Sequence, residues 1–241
     1  MQGGFILEWM KSLLGGKVKY LLMMIMLLAF GACSVSVGLD AWKEWRTPPE
    51  QVVGEAMMYA AEAPMYRYTS EAIRIADGEE LLLSRMNGQK NGENVHLSGS
   101  VDVVDSKLDV YQIGDTFYRQ DIVSGSWMKM TGQNLEATEY LLQEINPLGC
   151  LILPAGAEVT ELEKEKVNDV KCRKFQIRAS GETSYLTTVW NEFYYTVWID
   201  KQHRLQKAEM IAGDHEHYDG QLKLDVLFDW DTPVEEIQAP V

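Results

Sequence analysis

The chain has 241 residues, 46% of them hydrophobic and 24% charged, a composition that supplies an ordinary globular core and excludes a disordered chain. Its formal net charge is −14; the first 33 residues contribute Lys11, Lys17, Lys19 and the single acid Glu8, so the remainder holds 19 basic against 35 acidic residues, a net −16. A domain of that sign is repelled by nucleic acid, which is set aside as a partner.

Residues 1–20 read as a cytoplasmic n-region. From Leu21 to Leu39 the chain runs for 19 residues without a charge, close to the roughly 20 apolar residues that a membrane-spanning helix needs. Lysines precede this stretch and the acidic bulk follows, so the positive-inside rule places the C-terminal domain on the outer side of the cell membrane. The same stretch also fits a lipoprotein signal: Leu21 to Phe30 is an apolar h-region, Gly31 and Ala32 are small residues before a cleavage point, and Cys33 is then the lipid-attachment site. Phe30, three positions before Cys33 where Leu is usual in such signals, and the uncharged run to Leu39 favour an uncleaved helix. Cysteine parity favours the lipid, because an acylated Cys33 leaves Cys150 and Cys172 as an even pair. A start at Met10 would give the signal ordinary proportions. Both readings put the acidic domain outside. In that oxidising compartment a Cys150–Cys172 disulfide, closing a loop of about 22 residues, would contribute about 3 kcal/mol; two separate buried thiols are the alternative.

Residues 40–47 form a linker and residues 48–241 a single domain. The segment "TPPEQVVGEAMMYAAEA" predicts a helix with Thr47 as N-cap, Pro48 at its first position and an apolar stripe of Val52, Val53, Ala56, Met57, Ala60 and Ala61, stopped by Pro64. From Tyr66 the period changes to two. "YRYTSEAIRI", "ELLLSRMNG", "NVHLSGSVDVV", "KLDVYQI", "TFYRQDIV" and "WMKM" predict an antiparallel meander, with turns at "ADGE", "NGQKNGEN", "VDSK", "IGD" and "SGS". "NLEATEYLLQEIN" predicts a second helix, ended by Pro147 and Gly149.

Strands resume at "AEVTELEKEKV" and "KCRKFQIRAS", while "TSYLTTVWNEF" suits helix or strand. "YYTVWID" and "LQKAEMIA" predict two strands around "DKQHR", and "GQLKLDVLFDW" a third with one apolar face. Many antiparallel strands with two amphipathic helices make an α+β domain in which the helices cover the apolar side of a curved sheet.

The one cluster of metal-type side chains is "GDHEHYDG", with Asp214, His215, Glu216, His217 and Asp219; it lacks a third ligand at proper spacing and reads as a polar hairpin, so no metal is expected. His96 and His203 lie beside turn signals and read as solvated. No P-loop, dinucleotide fingerprint or "GxSxG" occurs, and Asp102, Asp105 and "ELEKEK" read as wet faces and strand ends. The chain is expected to be a binding protein without catalytic residues or cofactor.

The order of parts is an anchor, a proline-started helix running into "YRY", a meander ending in "W.K", a helix, further strands, then "TVWIDKQHRLQKAEM" and "LFDWDTPVEEIQAPV". It resembles the LolA/LolB and LppX/LprG-like superfamily of exported lipoprotein and lipid carriers over roughly Pro48 to Val241. The resemblance implies an incomplete antiparallel barrel whose concave side is apolar and partly plugged by helices, leaving a cavity for acyl chains. In that frame Val101, Val103, Leu108, Val110, Leu222, Leu224, Val226 and Phe228 face inward, whether to line the cavity or to fill a core. The implied partner is a lipid or lipoprotein; a tethered sensor or assembly module binding a protein is the alternative.

Overall fold

The computed structural model describes residues 47–102, 105–121, 124–131, 157–180, 190, 192–213 and 220–240. The chain divides into two units, Met1–Pro48 and Pro49–Val241, and every described helix and strand belongs to the second. The expected anchor with Cys33, the expected second helix, Val103, Cys150 and the histidines of "GDHEHYDG" lie outside the described residues. Among the described residues no helix is long and apolar enough to cross a membrane.

Helix α1 spans Pro49–Glu62. It starts one residue later than expected because a residue preceding proline is driven out of the helical region, so Pro48 cannot open the helix and Pro49 does. Of the expected stripe, Val52, Val53, Ala56 and Ala60 are buried and Met57 is half-buried, while Ala61 is exposed.

The strands are β1 (Met65–Ala76), β2 (Glu79–Asn91), β3 (Asn94–Val101), β4 (Ser106–Ile113), β5 (Thr116–Gln120), β6 (Trp127–Thr131), β7 (Glu158–Val167), β8 (Val170–Ser180), β9 (Glu192–Ile199), β10 (Leu205–Gly213) and β11 (Gly220–Asp229). They form one open, curved sheet in the order β6-β5-β4-β3-β2-β1-β11-β10-β9-β8-β7. It is two meanders zipped together where β1 pairs antiparallel with β11, and it does not close into a barrel, since β6 and β7 remain edges. Asp77 and Gly78, with φ of 54° and 79°, and Asn168 and Asp169, with 48° and 65°, make the two-residue turns whose twist suits a hairpin.

One expected turn is shorter than its signal. "NGQKNGEN" supplies strand residues up to Asn91, and the chain reverses only at Gly92, where φ is 62°. Gly88 within it is buried, and a Cβ there would overlap the Tyr68 ring. The glycine serves close approach of an aromatic ring across the β1–β2 pair and not a bend.

The sheet has two unlike faces. On the inner face, Phe175, Ile177, Val197, Ala208, Met210, Val226, Phe228, Tyr68, Met86, Leu97 and Val110 form one continuous core with the buried stripe of α1. The outer face carries charge: Lys207 and Lys223 alternate with Glu209 and Asp225 at 3.0–3.6 Å. Burial would raise the Asp225 pKa, but Lys223 and Lys207 more than offset it and the carboxyl is held below its usual value. On the same face Trp198 lies between Lys174 and Lys207, 4.9 and 4.7 Å from its ring centre, and donates its indole N–H to Glu165.

Candidate functional site

The inner face is the candidate site, and α1 sets how much of it is covered. The helix lies against β7, β9 and β10. Its last turn is held by Lys90 of β2, whose ammonium donates to Ala61 O at 2.7 Å and Ala63 O at 2.9 Å, a cation on the carbonyl end of a helix dipole. Burial lowers the Lys90 pKa. On the other side Glu55 meets His203 Nδ1 at 2.7 Å.

His203 sits in a turn that the "VWIDKQHRLQ" segment builds around one carboxylate. The Asp200 side chain is fully buried and accepts from Gln202 N, Arg204 N, Arg204 Nε and Gln206 Nε2 at 2.8–2.9 Å. Arg204 reaches on to Asp231, and Trp230 Nε1 donates to Leu205 O at 2.7 Å. Behind the turn, Tyr59, Tyr66, Phe228 and Trp230 stack into an aromatic cluster that joins α1, β1 and β11. This end of the inner face is dry: burial pushes the Tyr66 hydroxyl up to about 12, and burial together with the neighbouring Tyr66 pushes Tyr68 higher.

Along β1 and β11 the same face then opens. The register sets Tyr68 beside Phe228, Ser70 beside Val226, Ala72 beside Leu224 and Arg74 beside Leu222. Phe228 and Val226 are 3% and 2% exposed, whereas Leu224, Leu222 and Ala72 are half-buried and Arg74 is exposed. Across β2 to β4, Ser84 pairs with Val101 and both are half-buried, while one step further along the same face Leu108 is buried beside Gly99. Leu97 and Val110 are fully buried.

Of the residues expected to face inward, Leu108, Val110, Val226 and Phe228 therefore belong to the packed core, and Val101, Leu222 and Leu224 pack against it at the open end. Of the two readings open for Cys172, a disulfide or a separate buried thiol, the second describes it. It is a free, buried thiol in a small outer-face cluster with Val167 and Trp198, with its hydrogen directed to Val170 O at 3.4 Å. Burial raises its pKa to about 11.

His96 also departs from expectation. It is half-buried on the outer face, 2.8 Å from Asp109 and stacked on Tyr111 with centroids 4.0 Å apart, because strand pairing carries it away from the turn and onto an aromatic neighbour. Among the described residues no group of three or more metal-type ligands occurs. Sequence reasoning missed Arg74, Lys90, Asp200 and the Tyr68–Gly88 contact. The alternation in "YRYTSEAIRI" places Arg74 on the apolar side, and that was the one available signal.

No family model matches the chain, and no curated protein does. Solved structures similar to it include the lipoprotein LppX of Mycobacterium tuberculosis (12% identity, 78% of this chain and 100% of that one, TM-score 0.49). LprF of Mycobacterium bovis is similar at 12% identity over 78% and 94% of the two chains, TM-score 0.45. A LolA superfamily protein of Nitrosomonas europaea is similar at 11% identity over 78% and 96%, TM-score 0.36. These neighbours fall in the LolA- and LppX-like superfamily that the sequence resembles, and at such identities and TM-scores they say nothing of a ligand.

Proposed function

We propose that this chain is a membrane-anchored, extracytoplasmic binding protein that shelters an acyl chain of a lipid or lipoprotein on the inner face of its sheet, and that it carries out no catalysis. The observation behind the reading is the gradient along that face. Beneath α1 the apolar residues are dry, while the same row continues through Leu224, Leu222, Ala72 and Val101 to half-buried positions at the end where β1 meets β2 and β10 meets β11. Each methylene moved from water into such a surface contributes roughly 0.8 kcal/mol. A fixed outer face of paired charges keeps the opposite side of the sheet in water, so uptake has one direction. An anchored carrier suits a receiver or a local chaperone better than a free shuttle.

Native mass spectrometry of the full chain, released from its own host membranes in a neutral detergent, tests the proposal. A co-purifying lipid or acylated peptide of defined mass is expected. A ligand-free chain in stable complex with a protein partner would overturn it.

A further inference from the structure

We propose that the open end of the inner face selects amphiphiles with an acidic headgroup, phosphate or carboxylate, and that Arg74 is the residue that reads the head. The inference depends on the acyl-chain reading above and adds the ligand's charge to it.

Arg74 lies in the inner-face row of β1, directly opposite Leu222 of β11 on one side and Leu81 of β2 on the other. Leu222 is half-buried and Leu81 is 56% exposed, so the guanidinium stands between an apolar floor and an apolar rim. Its path runs over Gly220, a buried glycine at which a Cβ would come 3.4 Å from Arg74 Nε.

Among the described residues no hydrogen bond or ion pair engages Arg74. Several other cations are paired: Arg85 with Glu71, Arg173 with Glu161, Arg204 with Asp200, and Lys207 and Lys223 share Glu209 and Asp225. Arg74 thus sits in the apolar row of the sheet with no carboxylate partner among the described residues.

Desolvation then decides what can bind. A neutral amphiphile covering Leu81, Leu222 and Leu224 would strip water from the guanidinium and return nothing, whereas an acidic head replaces that water with charge-assisted, forked hydrogen bonds. Repulsion by acidic groups farther than about 8 Å is largely screened at physiological salt. At contact the arginine governs.

The test is a competition on the full chain in dodecyl maltoside at one fixed salt concentration. The probes are dioleoyl phosphatidylglycerol, dioleoyl phosphatidylcholine and inorganic phosphate, and bound lipid is counted by native mass spectrometry. The wild type is expected to prefer phosphatidylglycerol by about tenfold, the worth of one charged hydrogen-bonded contact. Arg74→Gln is expected to lose the preference while still taking up phosphatidylcholine, and Arg74→Lys to fall between, having the charge without the fork. Because Arg74 is exposed, unchanged urea unfolding of both variants serves as the folding control.

Equal binding of the two lipids by the wild type overturns the assignment, as does a preference that survives in Arg74→Gln. Displacement of phosphatidylglycerol by millimolar phosphate would make this a free-anion site and overturn it too. Failure of the wild type to take up either lipid would instead sink the acyl-chain reading, and this proposal with it.

Discussion

Gly88→Ala should be far more damaging than a single methyl in a strand usually is. The new Cβ would fall on the Tyr68 ring at Cζ, Cε1 and Cε2, so the ring must leave its slot between β1 and β2. Tyr68 is 2% exposed and packs in the core. Losing a buried aromatic side chain altogether costs about 3–5 kcal/mol, and a displaced ring that keeps part of its contacts costs about 3. Alanine recovers about 0.5–1 kcal/mol of the conformational entropy that glycine loses in a strand, which leaves a net cost of about 2 kcal/mol. With a urea m-value of about 2–3 kcal/mol/M, the unfolding midpoint should fall by about 1 M. Coupling provides the stricter criterion. Tyr68→Ala alone should cost about 4 kcal/mol, and adding Gly88→Ala to it should cost nothing further, because no ring remains to be displaced. Costs that simply add, or a neutral Gly88→Ala, would refute the reasoning.

Asp200→Ala removes the acceptor of four hydrogen bonds and strands Arg204 and the buried Gln206 amide; equilibrium urea unfolding should register a loss of about 3–5 kcal/mol, with Asp200→Asn intermediate. The Cys172 thiol, buried and with a raised pKa, should resist iodoacetamide at pH 8 in the native chain and react once urea unfolds it, as read by peptide mapping. Two forked hydrogen bonds from Arg173 hold the Glu161 carboxyl below the usual carboxylate range against its partial burial, and Thr232 does the same for Asp229. Groups whose folded pKa is depressed stabilise the fold above their unfolded value and lose that contribution as pH falls through the folded one. The urea midpoint should therefore drop below about pH 4, and less steeply in Glu161→Gln. Tyr66 and Tyr68 act at the opposite limit: raised in the folded state, they should cost stability as pH climbs from about 10 toward 12, measurable by circular dichroism.

The strands could be read because period-two alternation is a local signal with one buried face to enforce it. "GQLKLDVLFDW" fixed both the extent of β11 and the face that Val226 and Phe228 take into the core. What alternation could not supply is the depth of each inward residue. Val226 and Leu222 look alike in the sequence, and only the position of α1 over β7, β9 and β10 makes one core and the other half-open. Residues acting across long separations were equally hidden. Lys90 looks like a turn lysine until the end of α1 arrives above it, and Asp200 looks like a polar turn residue until Gln206 and Arg204 close around it. The two glycines of "NGQKNGEN" look alike in the sequence for a related reason: Gly92 makes the reversal, while Gly88 leaves room for an aromatic ring. Counting cysteines left a disulfide and a separate thiol both open for Cys172, because parity carries no geometry; the small cluster with Val167 and Trp198 does.

If the inner face holds an acyl chain, a phosphatidylglycerol whose acyl chain carries a diazirine should photo-crosslink to the full-length protein at positions set by the register. Peptide mapping should place the adducts on Ala72, Leu222, Leu224 and Val226, with none on Trp198, Lys207 or Lys223 of the opposite face. Adducts confined to the outer face, or spread evenly over both faces, would contradict a one-sided binding sheet.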